Sequence, residues 1–281
     1  MTLEEVLPTG QLPTRNIFYW HGKKIAYLDI GEGETFLCLP GWLSPSIFFL
    51  PLHQAFKGQI RLISIDLPGW AGLSDNILDP HPDFFLELIN DFIEYLHLKD
   101  FILVGYSYGG MLSQFIATKH ASHLKKLILI SPPADLSWVR TEISWILWLY
   151  GWLTSLQVPF AVLRQVIRLS MLYDFFKRTP YFLLITHDYF HACVNESTTF
   201  SVRAAFNCLL KSCQVIPAYK KLRKIPTLLI KADNEPTFVE KGVAHLSREL
   251  KIDPIIVPNT DHGHVLFDLL THKKLAYQLM S

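Results

Sequence analysis

The stretch Phe101 to His120, FILVGYSYGGMLSQFIATKH, decides how the rest of the chain is read. Four apolar, β-prone residues, Phe101 to Val104, run into Gly105-Tyr106-Ser107-Tyr108-Gly109-Gly110, and Met111, Phe115 and Ile116 then recur at helical spacing. This pattern predicts a strand, a tight turn and a helix, with Ser107 at the apex. A helix that doubles back on its strand leaves no room for side chains two residues before and two residues after the apex. Gly105 and Gly109 occupy those two places.

Working outward, strand and helix patterns alternate. Arg15 to Trp20 and Lys24 to Ile30 predict a hairpin turning at His21-Gly22-Lys23. Thr35 to Leu39 predicts a strand ending at Pro40-Gly41-Trp42, Ile47 to Phe56 a helix, and Arg61 to Ile65 a buried strand. Phe84 to Leu98 carries a helical apolar stripe. Lys125 to Ile130 and Ile225 to Ile230 predict further strands. Val257 to His264 closes a last strand, followed by a terminal helix from Val265 to Met280. Such alternation specifies a mostly parallel, doubly wound α/β sheet with helices on both faces. Ligands collect at the carboxyl ends of its strands, where the turns after Leu39, Val104, Lys231 and Val257 all lie.

Composition narrows the class. Half of the 281 residues are hydrophobic, enough for one large core with an insertion. The net charge of +1 comes from acids and bases scattered along the chain, which argues against a nucleic-acid partner. Cys38, Cys193, Cys208 and Cys213 form no CxxC pair, so reduced thiols and a cytoplasmic location are expected. Residues 1–13 carry two glutamates and no basic-then-apolar run, unlike a secretory signal.

The nucleophile turn and the segment Asp66-Leu67-Pro68-Gly69-Trp70-Ala71-Gly72-Leu73-Ser74 together resemble the α/β-hydrolases, whose fourth strand runs into a D-x-P-G-x-G-x-S loop. The resemblance covers nearly all of the chain except about Pro133 to Arg223. It implies an α/β-hydrolase core, residues 1–132 and 224–281, and an inserted helical cap, residues 133–223, rich in aromatics such as Trp138, Trp145, Trp148 and Trp152. Ile143 to Leu163 holds 21 residues without an acidic or basic side chain, and Gly151, Ser155, Gln157 and Pro159 dilute its apolar character. It reads as a lid, with peripheral membrane contact as a candidate role.

The resemblance also implies a triad in the order serine, acid, histidine. Ser107 is the expected nucleophile and His264, in Gly263-His264, the expected base, with His262 as the alternative. Aligning on Pro226 and Pro236 makes Glu235 the expected acid, with Asp233 and Asp135 in reserve. The backbone N–H groups of Trp42 and Tyr108 would receive the oxyanion. Where the family usually carries His-Gly, this chain has Pro40-Gly41. The chemistry expected is hydrolysis of a small apolar ester through an acyl-enzyme, without cofactor or metal. Thioester or carbon–carbon bond hydrolysis, or a non-catalytic binding protein, are the alternatives. His187 and His191 stand at i and i+4, and without a third ligand of matching spacing they read as ordinary cap histidines. Oligomeric state is not legible in the sequence.

Overall fold

The computed structural model describes residues 11–77, 80–134, 188–197, 199, 201–210 and 217–280, with scattered single positions near the N-terminus and between 144 and 169. Eight strands form one sheet: β1 Asn16–Trp20, β2 Lys23–Gly31, β3 Glu34–Leu39, β4 Ile60–Ile65, β5 Phe101–Tyr106, β6 Leu124–Ile130, β7 Thr227–Asn234 and β8 Ile255–Asp261. Their order is β1-β2-β4-β3-β5-β6-β7-β8. The pairs β1–β2 and β2–β4 are antiparallel, and every other pair is parallel. The doubly wound sheet is therefore as expected, with β5 and its serine at the centre.

Successive side chains of a strand point to opposite faces, so two cores form. Leu37, Leu39, Leu103, Leu127 and Leu129 belong to one. Phe36, Cys38, Ile102, Val104, Ile128 and Ile130 belong to the other. The principal helices are α1 Leu50–Ala55, α2 Pro82–Tyr95, α3 Tyr108–Lys119, α4 Asp188–Ser197, α5 Val202–Leu210, α6 Thr237–Leu250 and α7 Val265–Thr271. Side chains of α2, α3 and α6 fill the first core, and those of α1 and α7 the second.

Two expected helices are shorter than their patterns. Ile47 to Phe56 divides into a 3-10 turn, Ser46–Phe49, and α1, because Pro51 has no N–H to carry a continuous ladder. The terminal helix breaks at Thr271, whose hydroxyl donates to the Asp268 carbonyl at 2.8 Å; His272 leaves helical geometry at ψ 88°, and short helical turns resume at Lys273–Ala276 and Tyr277–Leu279. In β8, Pro258 is tolerated because the strand lies at the sheet edge.

Candidate active site

Ser107 joins β5 to α3 at φ 51° and ψ −119°, a conformation that side chains disfavour. It is held there by bonds on both sides. Its N–H donates to the Ile130 carbonyl at 2.8 Å, and its carbonyl accepts from the Met111 N–H at 3.1 Å. The flanking glycines answer to steric walls. A Cβ on Gly105 would lie 2.2 Å from Ser113 Oγ, and one on Gly109 would lie 2.1 Å from the Leu39 carbonyl oxygen. Neither wall is the far end of a flexible side chain, since Ser113 is buried in α3 and donates to the Gly109 carbonyl.

The hydroxyl of Ser107 lies 2.9 Å from Nε2 of His262, and Nδ1 of His262 lies 2.7 Å from Oε2 of Glu235. With Nδ1 donating to the carboxylate, Nε2 presents a lone pair to the serine hydroxyl. The Glu235 side chain is fully buried. Its other oxygen accepts from the Ala232 N–H at 2.8 Å and from the Ser131 hydroxyl. Three donors thus offset the cost of burying the carboxylate and fix which oxygen faces the imidazole.

The expectation for His264 is corrected by this geometry. His264 caps the start of α7, and its Nδ1 pairs with Asp261 at 2.8 Å, not with Ser107. The reason lies in strand register. A shift between Ala232 and Asn234 pairs Asn234 with Asp261, so β8 runs two residues beyond Asn259 and places His262 directly at its carboxyl end. The Tyr106 hydroxyl donates to the His262 carbonyl at 2.6 Å, and the two rings stack at 5.5 Å, locking that position. Burial and the nearby carboxylates of Glu235 and Asp261 push the Tyr106 phenol up, so it stays a donor.

Among the acid candidates, Glu235 is the one brought to the base. Asp233 accepts instead from the N–H groups of Asn259 and Thr260 at 2.6 and 2.8 Å, pinning the irregular β7–β8 pairing. Asp135 lies outside the described residues. Ser131, at the end of β6 with φ 49°, was not singled out in the sequence. Its place one strand over from Glu235 was the available signal.

On the other side of Ser107 stands the turn after β3. A Cβ on Gly41 would lie 3.0 Å from the Tyr106 ring and 3.2 Å from Ser107 Cβ, so the backbone entering Trp42 passes against the nucleophile. The Trp42 indole N–H donates to the Ala205 carbonyl at 3.0 Å.

The loop from Asp66 to Ser74 is structural. The buried Asp66 carboxylate accepts from the Ser46 N–H at 2.5 Å and the Leu73 N–H at 3.0 Å. A Cβ on Gly72 would fall 2.1 Å from its carboxyl carbon. Arg15 joins this loop to α4 through a two-oxygen pair with Glu196, at 2.8 and 2.6 Å. Desolvation, opposed by Arg15, pushes the Glu196 carboxyl up to about 7.

His187 and the His191 side chain lie outside the described residues. Among the described residues, His21, Glu87 and Asp91 form one exposed group with the composition of metal ligands, at the β1–β2 turn and on α2. Among the described residues, no helix is long and apolar enough to cross a membrane.

Comparison with known proteins agrees with this architecture. A sequence model described as "Alpha/beta hydrolase family" matches residues 36–271. A 1-acylglycerol-3-phosphate O-acyltransferase of Arabidopsis thaliana is 31% identical over 114 residues, covering 36% of this chain and 26% of that protein. A pimeloyl-[acyl-carrier protein] methyl ester esterase of Shewanella oneidensis is 33% identical over 117 residues, 41% of each chain. The chain thus spans well under half the length of these curated relatives. The crystal structure of a bromoperoxidase from Bacillus anthracis superposes with a TM-score of 0.69 at 17% identity, over 94% of this chain and all of that one.

Proposed function

Because the chain belongs to the alpha/beta hydrolase family, we propose that it is a serine hydrolase that cleaves carboxylic esters of apolar substrates through an acyl-enzyme. The observation that carries this reading is the unbroken line from Ser107 Oγ through His262 to Glu235. Ser107 attacks the ester carbonyl carbon as His262 Nε2 takes the hydroxyl proton. The N–H groups of Trp42 and Tyr108 receive the oxygen that becomes negative. His262 then returns the proton to the departing alkoxide. Water, deprotonated by the same nitrogen, releases the acid and restores Ser107. Glu235, held by Ser131 and Ala232, keeps the imidazole in the productive orientation and stabilises its protonated form. Each step is completed by these protein groups and water, so the scheme calls on no cofactor or metal.

Residues 133–223 are assigned to a cap over this site, with α4 and α5 among its described parts. Their anchoring to the core, through Arg15–Glu196 and the bond from the Ser201 N–H to the Gly69 carbonyl at 3.0 Å, supports that assignment. The aromatic composition of the segment suits an apolar acyl or alcohol group, and exposed Trp145, Trp148 and Trp152 suit peripheral contact with a lipid surface. Cys38 and Cys193 are buried free thiols, in keeping with a reducing, cytoplasmic setting.

The test is hydrolysis of p-nitrophenyl esters, from acetate to palmitate, by wild type and Ser107→Ala. Activity in the first and none in the second is expected, with the chain-length optimum sizing the pocket. An inert wild type whose Ser107 also resists a fluorophosphonate probe would put a binding protein in place of the enzyme.

A further inference from the structure

The two backbone donors assigned to the oxyanion come from different elements, Trp42 from the turn after β3 and Tyr108 from the start of α3. Their side chains meet one element. The indole N–H of Trp42 donates to the Ala205 carbonyl at 3.0 Å, and the Cys208 thiol donates to the Tyr108 hydroxyl at 3.0 Å. Ala205 and Cys208 are three residues apart on α5, one turn of the same helix face. Phe206 of that helix meets the Trp42 ring edge-on at 5.8 Å.

The helix is itself fixed to the core beside the nucleophile. The Ser201 N–H donates to the Gly69 carbonyl at 3.0 Å, and a Cβ on Gly69 would lie 3.0 Å from the Ala204 Cβ. Trp70, next to Gly69, packs its ring edge-on against Tyr108 at 4.6 Å. Ala204, Ala205 and Cys208 are fully buried. The small side chains let α5 approach closely enough for both polar contacts to form, and burial makes each of them costly to break.

We infer that α5 is a clamp that positions the oxyanion donors: by holding the Trp42 indole and the Tyr108 hydroxyl it sets the separation and aim of the Trp42 and Tyr108 N–H groups. This rests on the serine-hydrolase reading above. Donors that stabilise a transition state must be placed before charge develops, and small displacements there are expensive. Trp42, Tyr108, Ala205 and Cys208 act here through their side chains or carbonyls as positioning residues.

The test uses Trp42→Phe, which removes the indole N–H, Tyr108→Phe, which removes the hydroxyl, and the pair Cys208→Ala and Cys208→Ser. Each is assayed with p-nitrophenyl butyrate and with an alkyl trifluoromethyl ketone. Ser107 Oγ adds to the carbon of that ketone and its proton passes to His262, leaving a hemiketal oxyanion that mimics the tetrahedral intermediate. Trp42→Phe, Tyr108→Phe and Cys208→Ala are expected to lower kcat roughly tenfold, with KM within about twofold of wild type. The inhibition constant of the ketone should rise by the factor by which kcat/KM falls, because both report oxyanion stabilisation. Cys208→Ser, which keeps a donor to Tyr108, should restore most of the rate. Melting temperatures identify any variant that has merely lost its fold, and the ratio of ketone affinity to KM remains readable in those that fold. Wild-type kcat and ketone affinity in all variants, or a rise in KM alone, would overturn the clamp while leaving the hydrolase standing. A wild type that cleaves no ester and whose Ser107 takes no fluorophosphonate would overturn both.

Discussion

His262 and His264 lie two residues apart in one loop, and each holds a carboxylate at nearly the same distance, 2.7 Å to Glu235 and 2.8 Å to Asp261. Only one of them faces Ser107. The His264 pair is local, three residues from base to acid, and it closes the turn that starts α7. The His262 pair spans 27 residues and two strands, and its acid is fully buried with two further donors on the far oxygen. A histidine–carboxylate contact is therefore no mark of a catalytic base. What distinguishes the two is what the opposite ring nitrogen meets, and how firmly the carboxylate is held from behind.

The largest expected difference between the pairs comes from removing the bases. His262→Ala should cost on the order of 10⁴-fold or more in kcat for a p-nitrophenyl ester. His264→Ala should leave kcat within about threefold, with its effect confined to a modest loss of stability at the N-terminus of α7. The acids should follow with a smaller gap. Glu235→Gln is expected to lower kcat by about 10²–10⁴-fold, since an amide no longer selects the tautomer with its proton on Nδ1. Asp261→Asn is expected to change kcat by less than about threefold, because its contacts hold the turn and leave Ser107 untouched. Steady-state rates at saturating ester check all four.

A further substitution separates holding the acid from being the acid. Ser131→Ala removes one of two donors behind Glu235 and should lower kcat roughly tenfold, while Ser131→Thr, which keeps the hydroxyl, should recover it. An unchanged rate in Ser131→Ala would show that Ala232 alone aims the carboxylate.

The smallest effect concerns stability and not rate, and it involves a carboxylate pair outside the triad, Arg15–Glu196. Burial raises the Glu196 carboxyl to about 7 from its ordinary value of 4.5, so the folded chain binds this proton more tightly than the unfolded one. The stabilisation is fully present below pH 4.5 and is lost as pH rises towards about 7, where the folded carboxyl also ionises. Glu196→Gln mimics the protonated form at every pH. Its melting temperature relative to wild type should therefore climb between pH 5 and pH 8, and a difference that stays flat across that range would contradict the assignment.

The ease with which each part could be read follows from how far its causes reach along the chain. The nucleophile turn is decided within nine residues, by Gly105, Gly109 and the wall at Ser113, and it was legible. So was the Asp66–Ser74 loop, where Gly72 makes room for the Asp66 carboxylate six residues earlier. The acid could be aligned because Pro226 and Pro236 bracket β7 and its loop. The base could not be chosen by motif. It depends on how far β8 pairs with β7, which is settled by the irregular pairing at Asn234 and by Asp233 bonding across to Asn259 and Thr260. A two-residue difference in strand length carries no local signature when both residues are histidine. Ser131 has no local signature either: its partner is 104 residues away, just past the end of the neighbouring strand.

The most direct measurement is the rate at which a fluorophosphonate labels Ser107 in wild type, His262→Ala and His264→Ala, with the modified residue located by peptide mass analysis. Labelling requires a serine whose proton has somewhere to go, and it is independent of the natural substrate. Labelling of Ser107 in wild type and His264→Ala at similar rates, with little or none in His262→Ala, is the predicted result. Loss of labelling in His264→Ala with retention in His262→Ala would contradict the triad at its base.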